Sequence, residues 1–219
     1  HPDAVQGVLH GVGPEGFKQP EGVLNAMNSG TALRFLAGLV ARIEGSVTLD
    51  GDHSLRQRDS AAMWDSLRQA GVEVSSAQGK EHLPVVVKGP WKKLQLEQGI
   101  DLDISRSSQP LSSWLLASSA LPCKVQLNLI GKGVSNRHSK LTANMVRISG
   151  SANQLESTRC SLSPWIPHSE GTYSVPGDAS MASFAMLASS CLDTEIELSG
   201  WPQDDQAIGH EILFKSSIE

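Results

Sequence analysis

The residues best suited to chemistry lie at a series of small, polar helix starts. Asn28-Ser29-Gly30-Thr31-Ala32-Leu33-Arg34 runs straight into the apolar pattern Leu33, Leu36, Ala37, Val40. Unpaired N–H groups and the dipole at such a start favour an anion. Gly30 lets a ligand come close to the backbone. Read alone, the same residues also describe an ordinary capped helix. Ser105-Arg106-Ser107-Ser108-Gln109 opens a second helix of this kind, and Pro176-Gly177-Asp178-Ala179-Ser180 opens a third. Ser107 and Ser108 offer hydroxyls and backbone donors there, or serve as a plain N-cap pair. Arg58 carries a planar fork suited to carboxylate or phosphate, although Arg56 and Asp59 flank it as in a solvated charge cluster. Asp178 reads as an N-cap with Ser180 rather than as a catalytic acid. The seven histidines show no ligand spacing, and His210-Glu211 lacks the second histidine of a zinc motif. These spacings give no reason to expect a metal.

Composition bounds the class. The 219 residues suffice for one large domain or two small ones, with 39% apolar and 19% charged residues, as in a globular chain. A net charge of −5 argues against nucleic acid but leaves room for a local basic site. The apolar runs are far too short for a membrane span, and no signal peptide stands at the N-terminus. Cys123, Cys160 and Cys191 are far apart and odd in number, which suits a reducing cytoplasm. Each is read as a buried small hydrophobe.

These helix starts need elements to position them. Val5–Gly11 is expected as a short strand and residues 13–16 as a turn. A helix is expected from Gly30 to Arg42, then strand Ser46–Leu49 and a helix opened by Asp59-Ser60 with Met63, Trp64, Leu67 and Ala70 on one face. Val72–Val74 and Leu83–Val87 follow as strands. The pattern returns with strands Leu94–Leu96 and Ile100–Ile104, the Ser108 helix, strand Val125–Ile130, a helix from Arg137 to Ser149, and short strands at Leu155 and Leu162. A third pass begins at Tyr173 and has a helix from Pro176 onward, strand Glu195–Leu198 and a last helix opened by Gln203-Asp204-Asp205. Helix starts at Thr31, Ser108 and Ala179 stand 77 and 71 residues apart. Such a period means stacked copies of one unit, none of which buries its apolar face alone. The first helix of each unit is apolar nearly all round, so it is expected inside, with sheets around it.

Asn28–Arg34, Asp50-Gly51 with Leu55–Arg58, Ser107–Gln109, Ser135 with Leu141-Thr142, and Gly177–Ser180 stand in an order that resembles the enolpyruvyl transferases. Within these the closer resemblance is to the 5-enolpyruvylshikimate-3-phosphate synthases, over essentially the whole chain; Gln203–Asp205 is a weaker sixth segment. The resemblance implies an α/β (α+β) fold of repeated βαβαββ-type units in two lobes, with helices buried and sheets outside. Residues 1–170 would form most of the first, shikimate 3-phosphate-contacting lobe, and 171–219 the start of the second. It implies transfer of the enolpyruvyl group of phosphoenolpyruvate to the 5-hydroxyl of shikimate 3-phosphate, with no cofactor. Ser107, Ser108, Gln109 and Ser135 would hold shikimate 3-phosphate, and Arg58, beside Gly30, phosphoenolpyruvate. Arg34 is expected to brace the motif rather than touch substrate. The sequence opens at His1 with no initiator methionine, and the resemblance makes it the middle of a longer enzyme. The proton-transfer carboxylates are expected beyond Glu219, so no catalytic residue is assigned. The chain alone is expected to be inactive and, with apolar faces exposed, able to self-associate.

Two departures stand out. The family usually has proline where Asp59 stands, which puts a negative charge beside an anion site. It often has tyrosine where His138 stands, which would make a contact there pH-dependent. Two other readings remain: the sister enzyme acting on UDP-N-acetylglucosamine, and a non-catalytic binding or scaffold domain of the same fold.

Overall fold

The computed structural model describes residues 7–8, 10–12, 16–76, 79, 82–133, 136–168, 172–175 and 178–199. The expected turn at 13–16 lies largely outside them and the helix after Gln203 wholly so; of the expected strand at 5–11, the described residues 7, 8, 10 and 11 form no strand.

The first unit runs β1 (Leu24–Asn25), α1 (Gly30–Val40), β2 (Gly45–Asp50), α2 (His53–Arg56), α3 (Ala61–Gln69), β3 (Glu73–Ser76) and β4 (Val85–Gly89). After the short α4 (Lys93–Leu96), the second runs β5 (Ile100–Asp103), α5 (Gln109–Ala117), β6 (Val125–Ile130), α6 (Asn136–Ile148), β7 (Gln154–Leu155) and β8 (Arg159–Leu162). The sheets have the orders β1-β2-β4-β3 and β5-β6-β8-β7. In each, the first pair is parallel and the other two antiparallel. The two units therefore share one topology, as the repeat implies, and have the βαβαββ order.

Alternation decides which sheet face is inward. Val47 and Leu49 pair with Val87 and Val85, and all four are buried. In the second sheet Ile100 and Leu102 pair with Leu127 and Leu129, and Leu127 with Cys160. The inward faces close on α1 and α5, which pack on each other. Their close approach rests on Gly38, where a Cβ would overlap Ser113 Oγ and lie 3.2 Å from the Ser113 carbonyl. The seam is hydrogen-bonded: Ser113 Oγ donates to the Arg34 carbonyl at 2.6 Å. Trp114 stacks on Trp91 with centroids 5.8 Å apart, and its Nε1 donates to Ser66 Oγ at 2.9 Å. The Gln69 side chain also bonds the Asp101 N–H and carbonyl, at 2.8 and 2.9 Å, and so ties α3 to β5.

Several expectations are corrected. Residues 94–96 are helical, not a strand. Leu94 and Leu96 would share a face in a strand, but Leu96 is buried while Leu94 is 72% exposed. Glu195–Leu198 forms no strand, because it has no pairing partner among the described residues. The third unit's helix α7 (Ala182–Leu192), preceded by a 3₁₀ turn at Ala179–Met181, buries none of its residues. It is apolar but has no described sheet over it. Of the cysteines, Cys160 is buried, which pushes its thiol up to about 12. Cys123 is half-buried, and Cys191, on α7, is exposed rather than buried.

Candidate functional site

Two helix N-termini meet where α1 packs on α5. Ser29 caps α1, its Oγ accepting from Ala32 N–H at 3.1 Å. At α5 the capping is different. Ser107 Oγ accepts from Gln109 N–H at 3.2 Å, while the buried Ser108 makes no side-chain cap bond. Pro110 fits the first turn, where its missing N–H costs nothing. Gln109 points across the seam, and its Nε2 donates to Thr31 Oγ1 at 2.9 Å.

Arg34 sits beneath these two starts and is only 8% exposed. It donates to Gln109 Oε1, to the Asp59 carbonyl at 2.5 Å and to the Gly30 carbonyl at 3.4 Å. Burial lowers its pKa, the Asp59 carboxylate raises it and the neighbouring Arg58 lowers it further. An arginine stays charged through such shifts, so a buried cation stands under the motif. This is the bracing role expected of it.

Arg58 reaches the same place from the segment after α2, donating to Asn28 Oδ1 at 2.6 Å. A Cβ at Gly30 would lie 2.8 Å from Arg34 Nη1 and 3.7 Å from both Arg58 Nη1 and Gln109 Oε1. Three segments far apart in sequence thus bring Gly30, Arg34, Arg58 and Gln109 together. Ser135 lies outside the described residues. His138 is exposed on α6, and Asp178 caps the turn before α7 as expected. Its Oδ1 accepts from Ser180 N–H at 2.9 Å and Ser180 Oγ at 2.6 Å. The Ser180 hydroxyl bond, with the backbone donors and the nearby His138, holds its pKa below the usual carboxylate range against the opposing effect of burial.

A cavity of about 560 Å³ opens beside this cluster, lined by Arg34, Arg58, Asp59, Ser60, Arg106 and Ser107 among others. A larger one, about 670 Å³, lies between the end of β6 and α6 and holds none of the described residues expected to bind substrate. Three guanidiniums and the start of α5 line the smaller cavity, together with the carboxylates of Asp59, Asp65 and Asp103. Arg106 is the residue that sequence reasoning missed. Its Nη1 pairs with Asp59 Oδ2 at 2.5 Å. The only available signal was a cation next to Ser107-Ser108, with nothing in the sequence to say that Asp59 faces it. The Asp59 carboxylate also accepts from Ala61 N–H at 2.8 Å, so Asp59, and not Ser60, caps α3. The Ala61 bond first, then Arg106 and Arg34, hold its pKa below the ordinary value against partial burial.

No group of three or more His, Cys, Asp or Glu suited to a metal occurs among the described residues, and none of their helices is long and apolar enough to cross a membrane.

Comparison with known proteins agrees with this geometry. The family model for EPSP synthase (3-phosphoshikimate 1-carboxyvinyltransferase) matches residues 3–216. A 3-phosphoshikimate 1-carboxyvinyltransferase of Methanosarcina mazei is 32% identical over 177 residues, covering 80% of this chain and 40% of the relative. One from Legionella pneumophila is 32% identical over 189 residues, covering 86% and 41%. The EPSP synthase structure from Acinetobacter baumannii superposes with a TM-score of 0.67 at 25% identity, over 90% of this chain and 43% of that one. The chain thus spans less than half the length of these relatives. With a matching family model over nearly all its residues and the same fold, the chain belongs to the EPSP synthase family.

Proposed function

We propose that this chain supplies the shikimate 3-phosphate site and part of the phosphoenolpyruvate site of a 3-phosphoshikimate 1-carboxyvinyltransferase. The observation that carries this reading is the convergence of Gly30, Arg58 and Gln109, braced by Arg34, at two helix N-termini. Residues 1–170 are assigned to most of one lobe and 171–219 to the start of a second. Ser107, Ser108, Gln109 and Ser135 bind shikimate 3-phosphate. Arg58, beside the bare backbone of Gly30, binds phosphoenolpyruvate. Both substrates are anions, and fixed donors and cations aimed at developing charge are the main means of stabilising such a reaction. The enolpyruvyl carbon is attacked by the 5-hydroxyl, and phosphate leaves from the tetrahedral adduct in the second step. The residues assigned here bind and orient. The chain by itself is not expected to turn over, and the setting is cytoplasmic. The relatives it matches bear this enzyme's name rather than that of the UDP-sugar enzyme, which favours the first reading.

Calorimetric titration of shikimate 3-phosphate into the chain, with Ser107→Ala/Ser108→Ala as control, tests it. Saturable binding that the control abolishes is expected. Equal binding by both proteins, or competition by UDP-N-acetylglucosamine, overturns it.

A further inference from the structure

Helices α3 and α6 end in the same way, so the two repeat units can be matched residue by residue. Gly71 and Gly150 close them with positive φ, 80° and 105°. Gly71 N–H donates to the Arg68 carbonyl and Val72 N–H to the Leu67 carbonyl; Gly150 N–H donates to the Arg147 carbonyl and Ser151 N–H to the Val146 carbonyl. Arg68 thus corresponds to Arg147, and the buried Leu67 to the buried Val146. The same register sets Trp64 against Ala143 and Asp65 against Asn144. These two differences change the space and the charge of the second unit.

The first concerns space. Trp64 is fully buried in the core, whereas Ala143 lines the cleft of about 670 Å³ between α6 and the end of β6. Where one unit carries an indole, the other carries a methyl group beside open space. Ile104, Leu111, Leu129 and Leu155 supply the apolar part of the lining. Pockets of about 300–1,000 Å³ take small molecules. The second difference concerns charge. Arg68 pairs with Asp65 at 2.9 Å, but Arg147 donates to the neutral Asn144 Oδ1 at 2.8 Å. Counting every charged residue of the lining, Lys132, Lys140 and Arg147 stand against Glu156. All three cations are exposed, so they rim an apolar cleft with an excess of positive charge.

We propose that this cleft binds an aromatic carboxylate. Its ring lies beside Ala143, as the counterpart of the Trp64 indole, and its carboxylate meets Arg147. Lys140, Ala143, Asn144 and Arg147 follow one another at helical spacing on one face of α6, so ring and carboxylate are served from the same surface. Burial of a ring favours binding, and a guanidinium offers a carboxylate two parallel donors. None of the described residues given substrate roles above lines the cleft, so this inference stands independently of them.

The test is calorimetric titration of 2-naphthoate into the chain, with 2-naphthamide as its uncharged counterpart. Saturable binding of naphthoate is expected, with the amide about tenfold weaker. Asn144→Asp gives Arg147 the carboxylate that Arg68 already has. It should weaken naphthoate binding about tenfold and leave the amide unchanged, whereas a merely structural effect would move both. Ala143→Trp copies the first unit and should abolish binding of both probes. Circular dichroism checks the fold of each variant; if Ala143→Trp does not fold, Asn144→Asp and the ratio of the two probes still decide. Phe184→Ser, at an exposed side chain of α7, controls for binding to apolar surface elsewhere and should behave as wild type. No naphthoate binding by wild type, equal binding of the two probes, Asn144→Asp within about twofold of wild type, or binding lost in Phe184→Ser and kept in a folded Ala143→Trp would each overturn the proposal.

Discussion

Helices α5 and α7 open alike and end differently. Each begins at a small polar start, and each is apolar nearly all round. In α5 every residue except Gln109 and Leu116 is buried, whereas in α7 none is. Composition therefore does not separate them; what covers them does. Helix α5 packs on α1 across the Gly38 seam and on α6, and shares one buried core with β5, β6 and β8. The segment after α7 pairs with no strand among the described residues. A helix follows from local pattern and caps, but its burial requires partners.

The largest expected effect tests this contrast directly. Trp114→Ala should cost about 3–5 kcal/mol. It removes a buried ring stacked on Trp91 and leaves Ser66 Oγ without its donor. Chemical denaturation of the chain would measure it, and a loss under about 1 kcal/mol would contradict the tight packing assigned to α5. Next comes the seam itself. Gly38→Ala adds a methyl group where Ser113 leaves no space, and overpacking should cost about 1–3 kcal/mol despite alanine's better helix propensity. Gly30→Ala is its counterpart. There the crowding falls on the far end of the Arg34 side chain, so stability should change little while phosphoenolpyruvate binding weakens.

Gln109→Ala removes an acceptor from a buried guanidinium and a donor to Thr31 across the seam. About 1–3 kcal/mol of stability should be lost. Acid should have a smaller effect. Asp50, held low by its bonds to Arg56 at 3.0 and 2.6 Å, and Asp59 are both depressed below the ordinary 3.8. Their stabilisation is complete above that value and is lost as pH falls through the lower folded values. A melting temperature that drops below about pH 4, with a shallower drop in Asp50→Asn, is expected. The smallest effect belongs to α7. Phe184→Ala, at a side chain 67% exposed, should change stability by less than about 0.5 kcal/mol. A loss comparable to that of Trp114→Ala would mean that α7 is covered after all.

Much of this architecture was legible before any coordinates. Ser46–Leu49 and Leu83–Val87 read as strands, and Ser29, Gly30 and Thr31 marked a helix start. What misled was local pattern without context. Leu94-Gln95-Leu96 alternates like a strand but sits in one helical turn, and Glu195–Leu198 has strand residues without a neighbour. The site was legible in part. Gly30, Arg58 and Gln109 stood out through motif resemblance, and Arg34, read as a brace, bonds Gly30, Asp59 and Gln109. Arg106 was not, because its meaning lies in Asp59, 47 residues away.

The sequence by itself determined the period of the repeat, the two βαβαββ units, the capped helix starts and the family, since caps, alternation and motif order are local or linear properties. Only the tertiary structure decided that Arg34 is a buried cation joining Gly30, Gln109 and Asp59, that Asp59 faces Arg106, and that α5 is enclosed while α7 is not. Those facts depend on which distant segments meet, and contact between distant segments is set by packing of whole units rather than by any single stretch of chain.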